Sequence, residues 1–86
     1  MKTLAEDIKK YGRMRTGKES INKDGIRYRY DMYIIENVPY WMIIMFKKIR
    51  QELRLYKDEN YTISLQVPKF KGEPYGNMIL SELVIL

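Results

Sequence analysis

Glu36–Lys57 reads ENVPYWMIIMFKKIRQELRLYK, the stretch whose period, start signal and length converge on one structure. Asn37 is a capping residue type, and Pro39 falls where a missing N–H costs nothing in a first helical turn. Trp41, Met45, Ile49, Leu53 and Tyr56 recur at helical spacing, and Met42 and Phe46 widen that apolar stripe. Lys47, Lys48, Arg50, Arg54 and Lys57 crowd the second half, where positive charge suits the C-terminal end of a helix dipole. The pattern predicts one long amphipathic helix from Asn37 to Lys57 as the anchor of the core.

Outward from it, Tyr61–Val67 alternates as a strand, with Tyr61, Ile63, Leu65 and Val67 facing inward and Thr62, Ser64 and Gln66 outward. Met78–Leu86 is apolar at nearly every position, as expected of a strand covered on both faces or covered by a partner. On the other side of the helix, Ile26–Ile35 alternates cleanly. Its reading places Ile26, Tyr28, Tyr30, Met32 and Ile34 against the helix, and Arg27, Arg29, Asp31, Tyr33 and Ile35 on the opposite face. Asn22-Lys23-Asp24-Gly25 has hairpin-turn chemistry, preceded by a short possible strand at Glu19–Ile21. Thr3-Leu4-Ala5-Glu6 fits a capping box, and Leu4, Ile8 and Tyr11 form a narrow stripe on a first helix that Gly12 stops.

The expected fold is therefore a single α+β domain. An antiparallel or mixed sheet of three to four strands packs on the long central helix, with a short N-terminal helix beside it. The element order is α-β-β-α-β-β, or α-β-α-β-β if Glu19–Ile21 stays irregular. With 86 residues there is room for one core only.

Composition narrows the chemistry. Cysteine and histidine are both absent, which removes thiolate chemistry, the usual neutral-pH general base and the two commonest soft metal ligands. The carboxylates show no spacing that pairs them for acid–base work or metal binding, and the serines lack a histidine partner. Neither enzymatic activity nor a metal or other cofactor is expected. Residues 1–10, MKTLAEDIKK, carry acids where a signal peptide needs its apolar run, and Tyr40–Phe46 is too short to cross a bilayer. The expected setting is the cytoplasm.

The formal net charge of +5 is unevenly placed. Residues 1–29 carry nine Lys/Arg against four Asp/Glu, whereas residues 58–86 carry two against four. A basic first half points toward an anionic partner. Arg27, Arg29 and Tyr33 share the expected solvent face of a strand, and Arg13 and Arg15 join them if the Gly12–Lys18 connector folds back. Guanidinium groups interleaved with an aromatic ring can grip phosphates and stack a base; the plainer reading is a solvated face. Lys47, Lys48, Arg50 and Arg54 offer a second basic surface along the helix. Gly12-Arg-Met-Arg-Thr-Gly-Lys18 has phosphate-loop spacing, but a helix precedes it and Glu19 stands where a hydroxyl should bind magnesium, so a basic connector is expected instead.

These features point first to a small binding protein acting through its basic surface on nucleic acid or a nucleic-acid-handling complex. An alternative is a protein inhibitor of a host defence nuclease, anti-CRISPR-like in role, that docks through Phe70 and Tyr75 in the Lys69–Asn77 loop. A third is a homodimer paired along the Met78–Leu86 strand. In size and composition the chain is similar to small proteins of phages and mobile elements, a likeness that covers no motif.

Overall fold

A computed structural model describes residues 3–49, 55–57, 60–66 and 76–86. Helix α1 spans Leu4–Tyr11; the Thr3 hydroxyl oxygen accepts from the Glu6 N–H at 3.2 Å, and the Gly12 N–H closes the helix on the Ile8 carbonyl at 2.8 Å. Gly12 then takes an extended conformation, so the chain passes directly into strand β1, Arg13–Thr16. The basic connector expected here is thus mostly strand. Two-residue β2 (Ser20–Ile21) follows, then the turn at Asn22–Gly25, then β3 (Arg27–Ile35). The turn is held as its composition predicts. The Asn22 side-chain oxygen accepts from the N–H groups of Asp24 and Ile26, and Gly25 has a φ of 79°, where a side chain would be strained.

The central helix is the main correction. Helix α2 runs Tyr40–Ile49, and Leu55–Lys57 is strand β4, paired antiparallel with β5 (Tyr61–Gln66). The 3.6-residue apolar spacing continued past the helix end by coincidence. A three-residue strand shows too little alternation to compete with it, and its pairing to Thr62–Ser64 decides the outcome. At the start, Asn37 does not cap. It sits at φ 50° and turns the chain out of β3, while the Pro39 carbonyl accepts the first helical bonds, from Met42 and Ile43.

Strand β6 (Asn77–Ile85) completes an antiparallel sheet of order β1-β3-β6-β5-β4, with β2 also pairing β3. This is five strands in file plus a short sixth, more than the three to four expected. Both helices cover one face only. The core joins Leu4 and Ile8 of α1, Met42, Ile43 and Phe46 of α2, and Ile35, Ile63, Leu65, Met78 and Leu80 of the sheet, with Val38 sealing the end. The buried side of α2 is centred on Met42, Ile43 and Phe46; the Trp41–Met45–Ile49 line is rotated outward, leaving Trp41 and Ile49 exposed.

Candidate functional site

Alternation showed that β3 has two faces but not which one is covered, and the expected assignment is inverted. Asp31 and Ile35 are buried and Tyr33 packs on the core. The deciding factor is the neighbouring strands. In register, Ile35 meets Met78 and Tyr33 meets Leu80, which in turn meet Leu65 and Ile63, so these positions make the continuous apolar surface that the helices cover. Charge under the helices is neutralised locally. Arg29 Nε donates to Asp31 Oδ1 at 2.9 Å, and the Lys9 ammonium pairs with Glu82, the residue opposite Asp31. Hydrogen bonding to Asp31, reinforced by its charge, raises the Arg29 pKa above an already high value, so the guanidinium stays cationic.

The other face of the sheet carries Tyr28, Tyr30, Met32 and Ile34 from β3 and Ile79, Ser81, Leu83 and Ile85 from β6, flanked by Thr62 and Ser64 of β5. The helix residues of the core pack on the opposite face, and every one of these side chains is partly or fully exposed. Tyr28 and Tyr30 stand edge to face with ring centres 5.9 Å apart. The β3–β6 portion alone measures roughly 300 Å² in projection, at about 3.3 Å per residue and about 4.8 Å between strands. That is about the size of the largest apolar patch on an ordinary monomer, a feature that is often functional.

Register also sorts the basic residues. Arg13 lies opposite Ile34 and Arg15 opposite Met32, so both belong to this open face at its β1 edge. Arg27 and Arg29 do not, because they share the helix-side alternation with Asp31 and Tyr33. Several cations are already engaged within the protein. Arg27 donates to Glu19 at 2.5 Å and Arg13 to Glu36 at 2.9 Å, and both pairs are solvent-exposed. Among the described residues Arg15 and Lys18 have no acidic partner. Lys47 and Lys48 are exposed at the end of α2, away from this face; Arg50, Arg54, Phe70 and Tyr75 lie outside the described residues. The surface of Arg13, Arg15, Arg27, Arg29 and Tyr33 expected from the sequence is therefore divided between the two sides of the sheet.

β6 takes the middle position, hydrogen-bonded to β3 on one side and β5 on the other, so a dimer paired along its edge has no free edge to use. Its outward face remains available. The apolar residues on both faces of Met78–Leu86, read in the sequence as a strand covered on both faces or covered by a partner, were the signal that could have located the open face.

At one end of the open face lies a cavity of about 430 Å³ between the end of α1 and the start of α2, lined by Tyr11, Arg13, Ile34, Glu36, Pro39 and Trp41 among others. Sequence reading placed Tyr11 and Trp41 on helical core stripes, yet they are 60% and 48% exposed and form the cavity walls. Among the described residues no group of acids is placed to hold a metal ion, and no helix is long and apolar enough to cross a membrane.

The described residues define a two-layer α+β protein with helices on one side of an antiparallel sheet and a partly exposed aromatic–aliphatic surface on the other. Comparison of the chain with family models, with curated proteins and with solved structures gave no match.

Proposed function

We propose that the chain is a non-enzymatic binding protein whose open sheet face takes single-stranded nucleic acid. The observation that supports this reading is the register that sets Arg13 and Arg15 beside Met32 and Ile34, in the same face as the Tyr28–Tyr30 pair. A flat face with exposed rings suits unstacked bases, each of which has a π-face to offer, while cations along one edge follow a phosphate backbone. Duplex recognition fits less well. It calls for many cations spread over one surface, and here Arg27, Arg29, Lys47 and Lys48 lie away from the open face.

Fluorescence anisotropy of labelled single-stranded oligonucleotides tests the reading. Affinity is expected to fall as salt rises, and Tyr30→Ala or Arg15→Ala each to weaken binding about tenfold, the scale of one stacked base or one charge-assisted contact. Unchanged affinity in both variants would remove the face from consideration. Tighter binding to duplex than to single strands would move the site to the cations outside the open face.

A second reading rests on a specific observation. Ile79, Leu83 and Ile85 make the β6 half of the face purely aliphatic apart from Ser81, a composition that also suits a second copy of the chain or a protein target.

A further inference from the structure

We infer that the cavity between Tyr11 and Trp41 is a base-binding pocket selective for guanine, set at the end of the open face. The inference rests on the single-strand reading for its ligand class. Three features carry it. The first is proximity, since Ile34 and Arg13 belong both to the open face and to the cavity lining, which takes in Ile35 and Met42 from the helix side as well. The second is shape and lining. Two exposed aromatic side chains stand at an apolar floor of Ile34 and Pro39, and the volume falls in the range of small-molecule sites. Planar heteroaromatic groups are what such walls accept.

The third is the polar chemistry at the rim. Arg13 Nη2 donates to Glu36 Oε1 at 2.9 Å, while the other Glu36 oxygen has no donor among the described residues. An ionised carboxylate only accepts hydrogen bonds. Guanine presents two adjacent donors on its Watson–Crick edge, the N1–H and the N2 amino group, and so matches it in a bidentate pair. Adenine and cytosine each present one amino donor beside a ring-nitrogen acceptor, which would face the carboxylate unfavourably. Uracil's single N–H is flanked by two carbonyl oxygens. The guanidinium of Arg13, which lines the cavity, complements the attached phosphate.

Trp41 is the sole tryptophan, so its fluorescence reports the pocket directly. The experiment titrates the intact chain with GMP, AMP and CMP, which carry the same phosphate, and follows Trp41 emission. Saturable quenching by GMP is expected, at least about tenfold tighter than for AMP or CMP, the discrimination a good bidentate pair gives. Glu36→Gln should abolish that preference; Glu36 is exposed, so an unchanged melting curve for the variant separates loss of recognition from loss of fold. Equal responses to the three nucleotides, no response, or a GMP preference that survives Glu36→Gln would each overturn the pocket. If labelled oligonucleotides still bind with Tyr30 dependence while Trp41 stays silent, the pocket falls and the open-face reading stands. If GMP quenches through Glu36 but no oligonucleotide binds, the pocket stands as a mononucleotide site and the open-face reading falls.

Discussion

Asn37 is the residue on which the path from sheet to helix depends. Its φ of 50° reverses the chain between Ile35 and Val38, so that Val38 drops into the core with its N–H donating to the Gly76 carbonyl at 2.9 Å. Asparagine tolerates this left-handed conformation, and a β-branched residue does not. Asn37→Gly is expected to leave stability within a few tenths of a kcal/mol, whereas Asn37→Val should cost about 1–2 kcal/mol, read from the urea midpoint. Equal midpoints for the two variants would mean that the turn relaxes out of the left-handed region. The opposed carboxylates of Asp31 and Glu82 show the same dependence on single residues. Like charges facing each other across a strand pair are destabilising, and here Arg29 from within β3 and Lys9 from α1 offset them. These contacts explain how a charged position came to lie under a helix. They also mark why the sequence did not disclose it: alternation separates the two faces of Arg27–Ile35, but the identity of the covered face depends on partners roughly forty or more residues away.

At the scale of the element, strand β1 sets the arginine-bearing edge of the open face. It is a short, fully exposed edge strand whose only described sheet neighbour is β3, and its end is fixed where the Gly17 N–H donates to the Tyr30 carbonyl at 2.8 Å. A Cβ on Gly17 would stand 2.4 Å from that same oxygen. Gly17→Ala should therefore push the end of β1 off β3, costing about 1–3 kcal/mol and accelerating amide exchange in Arg15 and at position 17. Wild-type protection at those amides in the variant would show that the strand accommodates the methyl group. What the sequence disclosed of the elements follows their length and punctuation. The capped first helix, the Asn22–Gly25 turn and the strands at 27–35, 61–66 and 77–85 were legible from strong local signals. β1 was not, because GRMRT reads as a basic, glycine-bounded connector, and neither was β4, hidden under an apolar spacing that carried the helix too far. The candidate site was legible only in part. Arg13 and Arg15 were singled out, while Tyr28, Tyr30, Tyr11 and Trp41 were assigned to the core because an aromatic at regular spacing is ordinarily buried.

On the scale of the whole molecule, the question is whether the open face is free in solution. With +5 on each copy, self-repulsion opposes pairing weakly, and the Arg13–Arg15 edge adds to it. Light scattering at micromolar concentration is expected to give a mass near 10.4 kDa. A mass near twice that value, returning to the monomer with Leu83→Lys, would assign the aliphatic half of the face to a second copy and leave nucleic acid the cavity end alone.

The central position of β6 has a consequence for how the protein is made. β3 and β5 never touch as strands; β6, which follows both in the chain, is what joins them. Until residues 77–85 have left the ribosome, the β1–β3 and β4–β5 pairings exist as separate hairpins with an unfilled slot between them. Because β3 and β6 pair positions roughly 40 to 60 residues apart, closing the slot is a late, entropically costly event, and folding should be slow for so small a chain. The open face is thus complete only once β6 has paired with both of its neighbours, and a nascent chain stalled before residue 77 holds its two parts unjoined.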